Sequence, residues 1–171
     1  MNIRLTTMTK DLARQYFSRF ELDPALFSNP EDFRPYQYSP VQSDETVDRN
    51  MRLGRVYLAV MLDEEPIGEV VLKKIPREQK HCTLGISLRS DEFKNKGYGT
   101  EAEILTLKYA FDVMGMETVY ADSLLGNTRS QHVLEKVGFY ETSRDNGFVY
   151  YRFDRAGWKA RKTAEEADQH P

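Results

Sequence analysis

The chain has 171 residues, 40% hydrophobic and 30% charged, with a net charge of −3, and so fits one globular domain able to bury its own core. The acidic balance argues against general nucleic-acid binding, and no apolar run approaches the roughly 20 residues of a membrane span. A single cysteine, Cys82, excludes an internal disulfide framework, and three scattered histidines give no zinc-ligand spacing, so the expectation is a cytoplasmic protein without a structural metal.

In chain order, "NIRLTT" (Asn2 to Thr7) alternates apolar and polar residues and predicts a strand. Thr9 is placed to cap a helix, "KDLARQYFSRF", in which Leu12, Tyr16 and Phe20 recur at helical spacing. Residues 21–42 carry prolines and aromatics and read as a long irregular stretch, the kind that is often functional. A second helix is expected from Ser43 to about Arg52. "RVYLAVMLDEEPIGEVVLKKI" reads as two strands joined at Asp63 to Pro66, and "HCTLGISLRS" as another. Thr100 to Met114 reads as a helix stopped by Gly115. "ETVYADSL" is then a strand, and a helix from near Asn127 ends at Gly138. Two strands flank Asn146-Gly147, a favoured hairpin turn. The order β-α-α-β-β-β-α-β-α-β-β implies an α/β (α+β) domain over residues 1–155, with a mostly antiparallel sheet and one parallel pair. Residues 156–171 are highly charged and read as a C-terminal tail or frayed helix.

The stretch "KNKGYGTEA" (Lys94 to Ala102) sets two glycines one residue apart just before a helix. Such glycines let the backbone approach a ligand closely, and the helix start behind them offers unpaired N–H groups to an anion, most often phosphate. The P-loop pattern is absent. The dinucleotide pattern G-x-G-x-x-G/A is formally met by Gly97, Gly99 and Ala102, with Glu117 downstream. That pattern belongs in the turn leaving the first strand of a βαβ unit, whereas this loop follows several apparently antiparallel strands. A glycine turn without a ligand is the bland alternative.

From Cys82 to Phe139 the sequence resembles the GNAT superfamily of acyl-CoA-dependent N-acyltransferases. The motif [Q/R]-x-x-G-x-[G/A] reads Lys94-Asn95-Lys96-Gly97-Tyr98-Gly99, with Lys94 in place of Gln or Arg. A second block, Asn127-x-x-Ser130 running on to "LEKVGF", is similar to the branch of ribosomal-protein N-terminal acetyltransferases. The resemblance implies a six- to seven-stranded sheet flanked by about four helices, with strands four and five splayed. It implies acetyl-CoA as co-substrate: its pyrophosphate on the amides of Lys96 to Thr100, its pantetheine arm along Ser87, Leu88 and Arg89, with Asn127 facing the arm and Lys136 or Arg129 reaching the adenine-side phosphate.

The implied reaction is direct attack of a primary amine on the acetyl thioester within a ternary complex. A proton must leave the amine, and the departing thiolate needs a donor. Many family members use a tyrosine seven residues past the Asn; here that position is Leu134, and the resembled branch points to Ser130 instead. Thr83 stands where the family often has a strand-four Glu, so Glu69 on the preceding strand is the candidate base, with His81, Glu141 or a water relay as alternatives. Cys82 reads as a small buried hydrophobe rather than a covalent nucleophile.

Residues 21–50 hold seven acids (Glu21, Asp23, Glu31, Asp32, Asp44, Glu45, Asp48) against two arginines. A cationic acceptor, whether a basic protein N-terminus or a small amine, would be drawn there; solvated helix faces explain the same acids equally well. Expected partners are thus an amine acceptor, with no nucleic acid or membrane, for a monomer or homodimer. Two rivals are a GNAT-fold module that binds acyl-CoA without turnover and a nicotinamide oxidoreductase.

Overall fold

The computed structural model describes residues 2–27, 29–73 and 78–168. Strands β1 (Ile3–Thr7), β2 (Val56–Leu62), β3 (Glu65–Lys73), β4 (His81–Leu88), β5 (Thr118–Leu124), β6 (Tyr140–Arg144) and β7 (Phe148–Asp154) form one sheet in the order β1-β2-β3-β4-β5-β7-β6. Every pairing is antiparallel except β4 with β5. Residues 74–75, expected to end the third strand, lie outside the described residues.

Two helices cover one face. Helix α1 (Lys10–Phe17) is capped by Thr9, whose hydroxyl accepts from the Leu12 amide, and α2 (Pro40–Arg52), capped by Ser39, starts three residues earlier than expected. Pro40 at the first helical position has no N–H to satisfy, which makes Ser39-Pro40 a good start signal. Ala13, Val47, Tyr57, Ala59 and Met61 pack between these helices and the sheet. On the other face, α3 (Tyr98–Lys108) runs on through a π-helical turn, Tyr109–Val113. It packs against β1, β4 and α4 (Thr128–Val137). Buried between them lie Val70, Leu72, Cys82, Leu84, Leu107, Phe111, Val119 and Leu134.

The charged segment 156–171 is not a loose tail over residues 156–168. They belong to α5 (Arg155–Asp168), and residues 169–171 lie outside the described residues. Trp158, only 3% exposed, stacks on Phe111 with ring centroids 5.9 Å apart, and its indole N–H donates to Asp112 at 2.9 Å. Gly157 is required here, because a Cβ at that position would come within 2.6 Å of the Phe153 ring. The hairpin between β6 and β7 also differs from the Asn-Gly expectation. Neither Asn146 nor Gly147 has a positive φ; the Asp145 carboxylate instead accepts from the Gly147 and Phe148 amides, both at 2.8 Å.

Because Trp158 fills the space between α5 and the sheet, Trp158→Ala should cost about 3–5 kcal/mol in chemical denaturation. No measurable loss would show that α5 adds nothing to the fold.

Candidate functional site

Pairing of β4 with β5 stops at Leu84 and Ala121, although β5 continues beside β7 to Leu124. Beyond that point β4 keeps only its β3 neighbour, as far as Leu88. The Arg89 amide donates to Ile67 O at 2.7 Å, which sets the hydrogen-bond phase of that ladder. In an antiparallel pair, alternate residues turn their N–H and C=O toward the partner. Ser87 shares the phase of Arg89 and therefore faces β3, whereas Ile86 and Leu88 face the gap that β5 has left.

The expected trio on β4 thus divides. Leu88 offers backbone groups to the gap, joined by Ile86, which sequence reasoning passed over. Arg89 does not. Its carbonyl accepts from the Glu21 amide at 2.8 Å, and its buried guanidinium pairs with Glu65 at 2.8 Å and Glu92 at 3.3 Å, lying 4.7 Å from the Phe93 ring centre. It holds the end of β4 in place.

A cleft occupies the gap. Ile86, Ser87 and Leu88 form one wall, Gly99 and Glu103 of α3 and Asn127, Ser130 and Val133 of α4 another, and Phe20 to Asp23 with Leu26 its outer rim. Gly97 has φ +83°, a left-handed conformation that admits a following helix without a side-chain cap. Asn95 is also left-handed, at φ +59°. The first N–H groups of α3 have no intrahelical acceptor. Gly99 has no positive φ, and a Cβ there would meet nothing closer than 3.8 Å. Protein packing alone therefore does not demand a glycine at 99. Lys94 lines the cleft, Asn95, Lys96 and Gly97 are exposed, and Tyr98 and Thr100 are half-buried.

Lys94 is already engaged. Its ammonium lies 2.8 Å from both Asp23 and Asp91, and Arg129 adds contacts at 3.3 Å to Asp91 and 3.9 Å to Asp23. The Lys94 bond holds both carboxyls below their usual range. These four groups tie the loop after α1 to the glycine loop and to α4. Asp44, Glu45 and Asp48 are likewise paired, with Arg14, Arg52 and Lys10. Of the seven acids in 21–50, Glu21, Glu31 and Asp32 are exposed and outside these ion pairs, so the field offered to a cation is weaker than composition suggested.

Asn127 caps α4, its side-chain oxygen accepting from the Ser130 amide at 3.2 Å, which leaves its NH2 free to turn toward the cleft. Ser130 is half-buried in the cleft wall, whereas Leu134 is 3% exposed and belongs to the core. Lys136 is exposed in the last turn of α4 and is not brought into the cleft. Burial pushes the Cys82 thiol up to about 11, as suits an inert core residue.

Glu69 lies across the β3–β4 ladder from Ser87, with its side chain on the α1/α2 face. Its carboxylate accepts from the Tyr57 hydroxyl at 2.5 Å. Burial raises its pKa above the ordinary glutamate value, partly opposed by that bond. The Tyr16 hydroxyl, also on this face, is buried without a hydrogen-bond partner among the described residues. A further cleft residue that escaped sequence reasoning is Glu103, 2% exposed, with its Oε2 unpartnered.

Comparison with known proteins agrees with this architecture. YdaF of Bacillus subtilis (strain 168), provisionally named a ribosomal N-acetyltransferase, is 27% identical over 120 residues, 64% of this chain; the match spans 65% of the relative's length. The structure of spermidine N-acetyltransferase from Vibrio cholerae, in complex with CoA and spermine, superposes with a TM-score of 0.74 at 16% identity, covering 91% of this chain and 97% of that one. The structure of AAC(6')-Ib with ribostamycin and coenzyme A gives a TM-score of 0.75 at 16% identity, covering 93% and 97%. At such identities the likeness is one of fold. Residues 2–140 match the acetyltransferase (GNAT) domain family, and the chain belongs to the GNAT acetyltransferases.

Proposed function

We propose that this protein transfers an acetyl group from acetyl-CoA to a primary amine, either a small cationic amine or a protein N-terminus. The observation that carries the reading is the cleft between the diverging β4 and β5, which ends at the start of α3, where Gly97 precedes the helix and Gly99 lies in its first turn. An elongated ligand with a phosphate at one end and amides along its length suits this combination. Amides at the helix start meet the phosphate, and the free backbone of Ile86 and Leu88 pairs with the rest. The coenzyme complexes of two structural neighbours support the choice.

When bound, acetyl-CoA supplies an acetyl group activated as a thioester. The protein's part is to orient the amine and manage one proton. Glu69 stands one strand back from the cleft wall, opposite Ser87, and takes the proton released as the C–N bond forms. Ser130 in the cleft wall donates its hydroxyl to the leaving sulfur as the C–S bond breaks. Exposed Glu21, Glu31 and Asp32 favour a cationic acceptor, in keeping with the spermine and ribostamycin bound by the neighbours. One observation favours the non-catalytic rival: Leu134, in the position where many relatives have a tyrosine, is buried in the core.

Calorimetric titration with acetyl-CoA, with NADH as control, tests the co-substrate; binding of NADH alone would overturn the reading. If Ser130 serves the leaving thiolate, Ser130→Ala should lower kcat by about 100-fold with acetyl-CoA affinity retained, as followed by thiol release with spermine as acceptor. Unchanged turnover would remove Ser130 from the chemistry. Glu69 works as a carboxylate with a raised pKa, so the wild-type rate should climb with pH through a limb above the ordinary glutamate range. Glu69→Gln should lose that limb along with most of the rate. A limb that persists in Glu69→Gln would assign the base elsewhere.

A further inference from the structure

Glu103 lies five residues past Tyr98, so its backbone is about 7.5 Å deeper along α3 than the helix start. It lines the cleft opposite β4 and is nonetheless 2% exposed, with Oε2 unpartnered. The cations of that cleft are committed at its mouth, Lys94 and Arg129 to Asp23 and Asp91. A buried, unsatisfied carboxyl is costly to a fold and calls for a compensating role.

Burial pushes this carboxyl up to about 8. Charged or titratable groups stand on every strand and helix packed against α3: Arg4 on β1, His81 on β4, and Arg129, His132, Glu135 and Lys136 on α4. Glu21 and Asp23 stand on the cleft rim. None of them contributes to the shift, which is desolvation alone. At neutral pH the side chain is therefore mostly a neutral acid, with one O–H to donate and one C=O to accept.

A secondary amide is the complement of that pair. A phosphate at this depth would lack a cation, and a cationic amine would face the apolar Ile86, Leu88 and Val133. We propose that Glu103 hydrogen-bonds an amide of the pantetheine arm and is a binding residue for the acyl-coenzyme. This rests on the reading that the cleft takes acetyl-CoA.

The test is calorimetric titration of the wild type, Glu103→Gln and Glu103→Leu with acetyl-CoA and, separately, with adenosine 3',5'-bisphosphate, which has no arm. At pH 7 the Gln variant, which keeps a donor and an acceptor, should bind acetyl-CoA within about twofold of wild type, and the Leu variant about tenfold more weakly. All three should bind the bisphosphate alike. Above pH 8 the wild type should lose acetyl-CoA affinity as the acid ionises, while the Gln variant should not. The Leu variant should also melt higher than wild type, because an unsatisfied polar group has gone; a purely structural Glu103 would give the opposite. Should that variant not fold, the contrast in pH dependence between wild type and Gln decides. Acetyl-CoA binding by the Leu variant as tight as wild type, or equal pH profiles for wild type and Gln, would overturn the role of Glu103 alone. Failure of the wild type to bind acetyl-CoA would overturn the coenzyme reading and this proposal together.

Discussion

The parting of β4 from β5 is the constraint on which the site depends. Two parallel strands that stayed paired to their ends would leave a closed sheet, with α3 and α4 packed over it and nothing to bind. Because pairing ends at Leu84 and Ala121, strand-edge hydrogen-bonding groups open into a gap next to a helix start. Neighbouring features keep the gap from collapsing. Arg89 fastens the end of β4 through Glu65 and Glu92, and β5 is held on its other side by a seven-residue ladder with β7. The site is thus a defect in the sheet that its surroundings stabilise.

The two faces of the sheet have different chemistry around this defect. On the α3/α4 face the cleft sets apolar Ile86, Leu88 and Val133 beside polar Glu103, Asn127 and Ser130, with its charged pairs at the mouth, an environment for a long, partly neutral ligand. On the α1/α2 face, Glu69 sits among hydroxyl groups, bonded to Tyr57 and near Tyr16, where proton transfer is chemically natural. Burial moves both Glu69 and Glu103 upward, yet the outcomes differ. Glu69 keeps a donor that favours its ionised form, whereas Glu103 has none. One carboxyl is thereby suited to accept a proton and the other to keep one.

Much of this was legible in the sequence. Strand alternation, the glycines at 97 and 99 and the Asn127–Ser130 spacing depend on local physics and carried the sheet, the loop and the helix cap. The choice among Ser87, Leu88 and Arg89 was not legible, since it turns on ladder phase, and a shift of one residue exchanges the edges. Glu103 was hidden inside "TEAEILTLK", which reads as an ordinary charged helix face until α4 covers it. Helix α5 was obscured by its many charges, with a single apolar anchor, Trp158, holding it down. The tie between Lys94 and Asp23 was not legible either, because the two residues are 71 apart in the chain.

That last tie has a consequence for how the protein responds to its medium. Lys94 and Arg129 with Asp23 and Asp91 make a ring of two positive and two negative charges, so these four side chains together add almost no net field at the cleft mouth, and Lys96 is the exposed cation of the loop. On the proposed reading, a phosphate arriving there would be drawn in from a distance by Lys96 alone and held on contact by fixed amide dipoles whose reach is short. Such capture is largely indifferent to the Debye length of the solution, about 8 Å at physiological ionic strength. The rate at which the cleft fills should accordingly change less with added salt than that of a site built from several unpaired lysines.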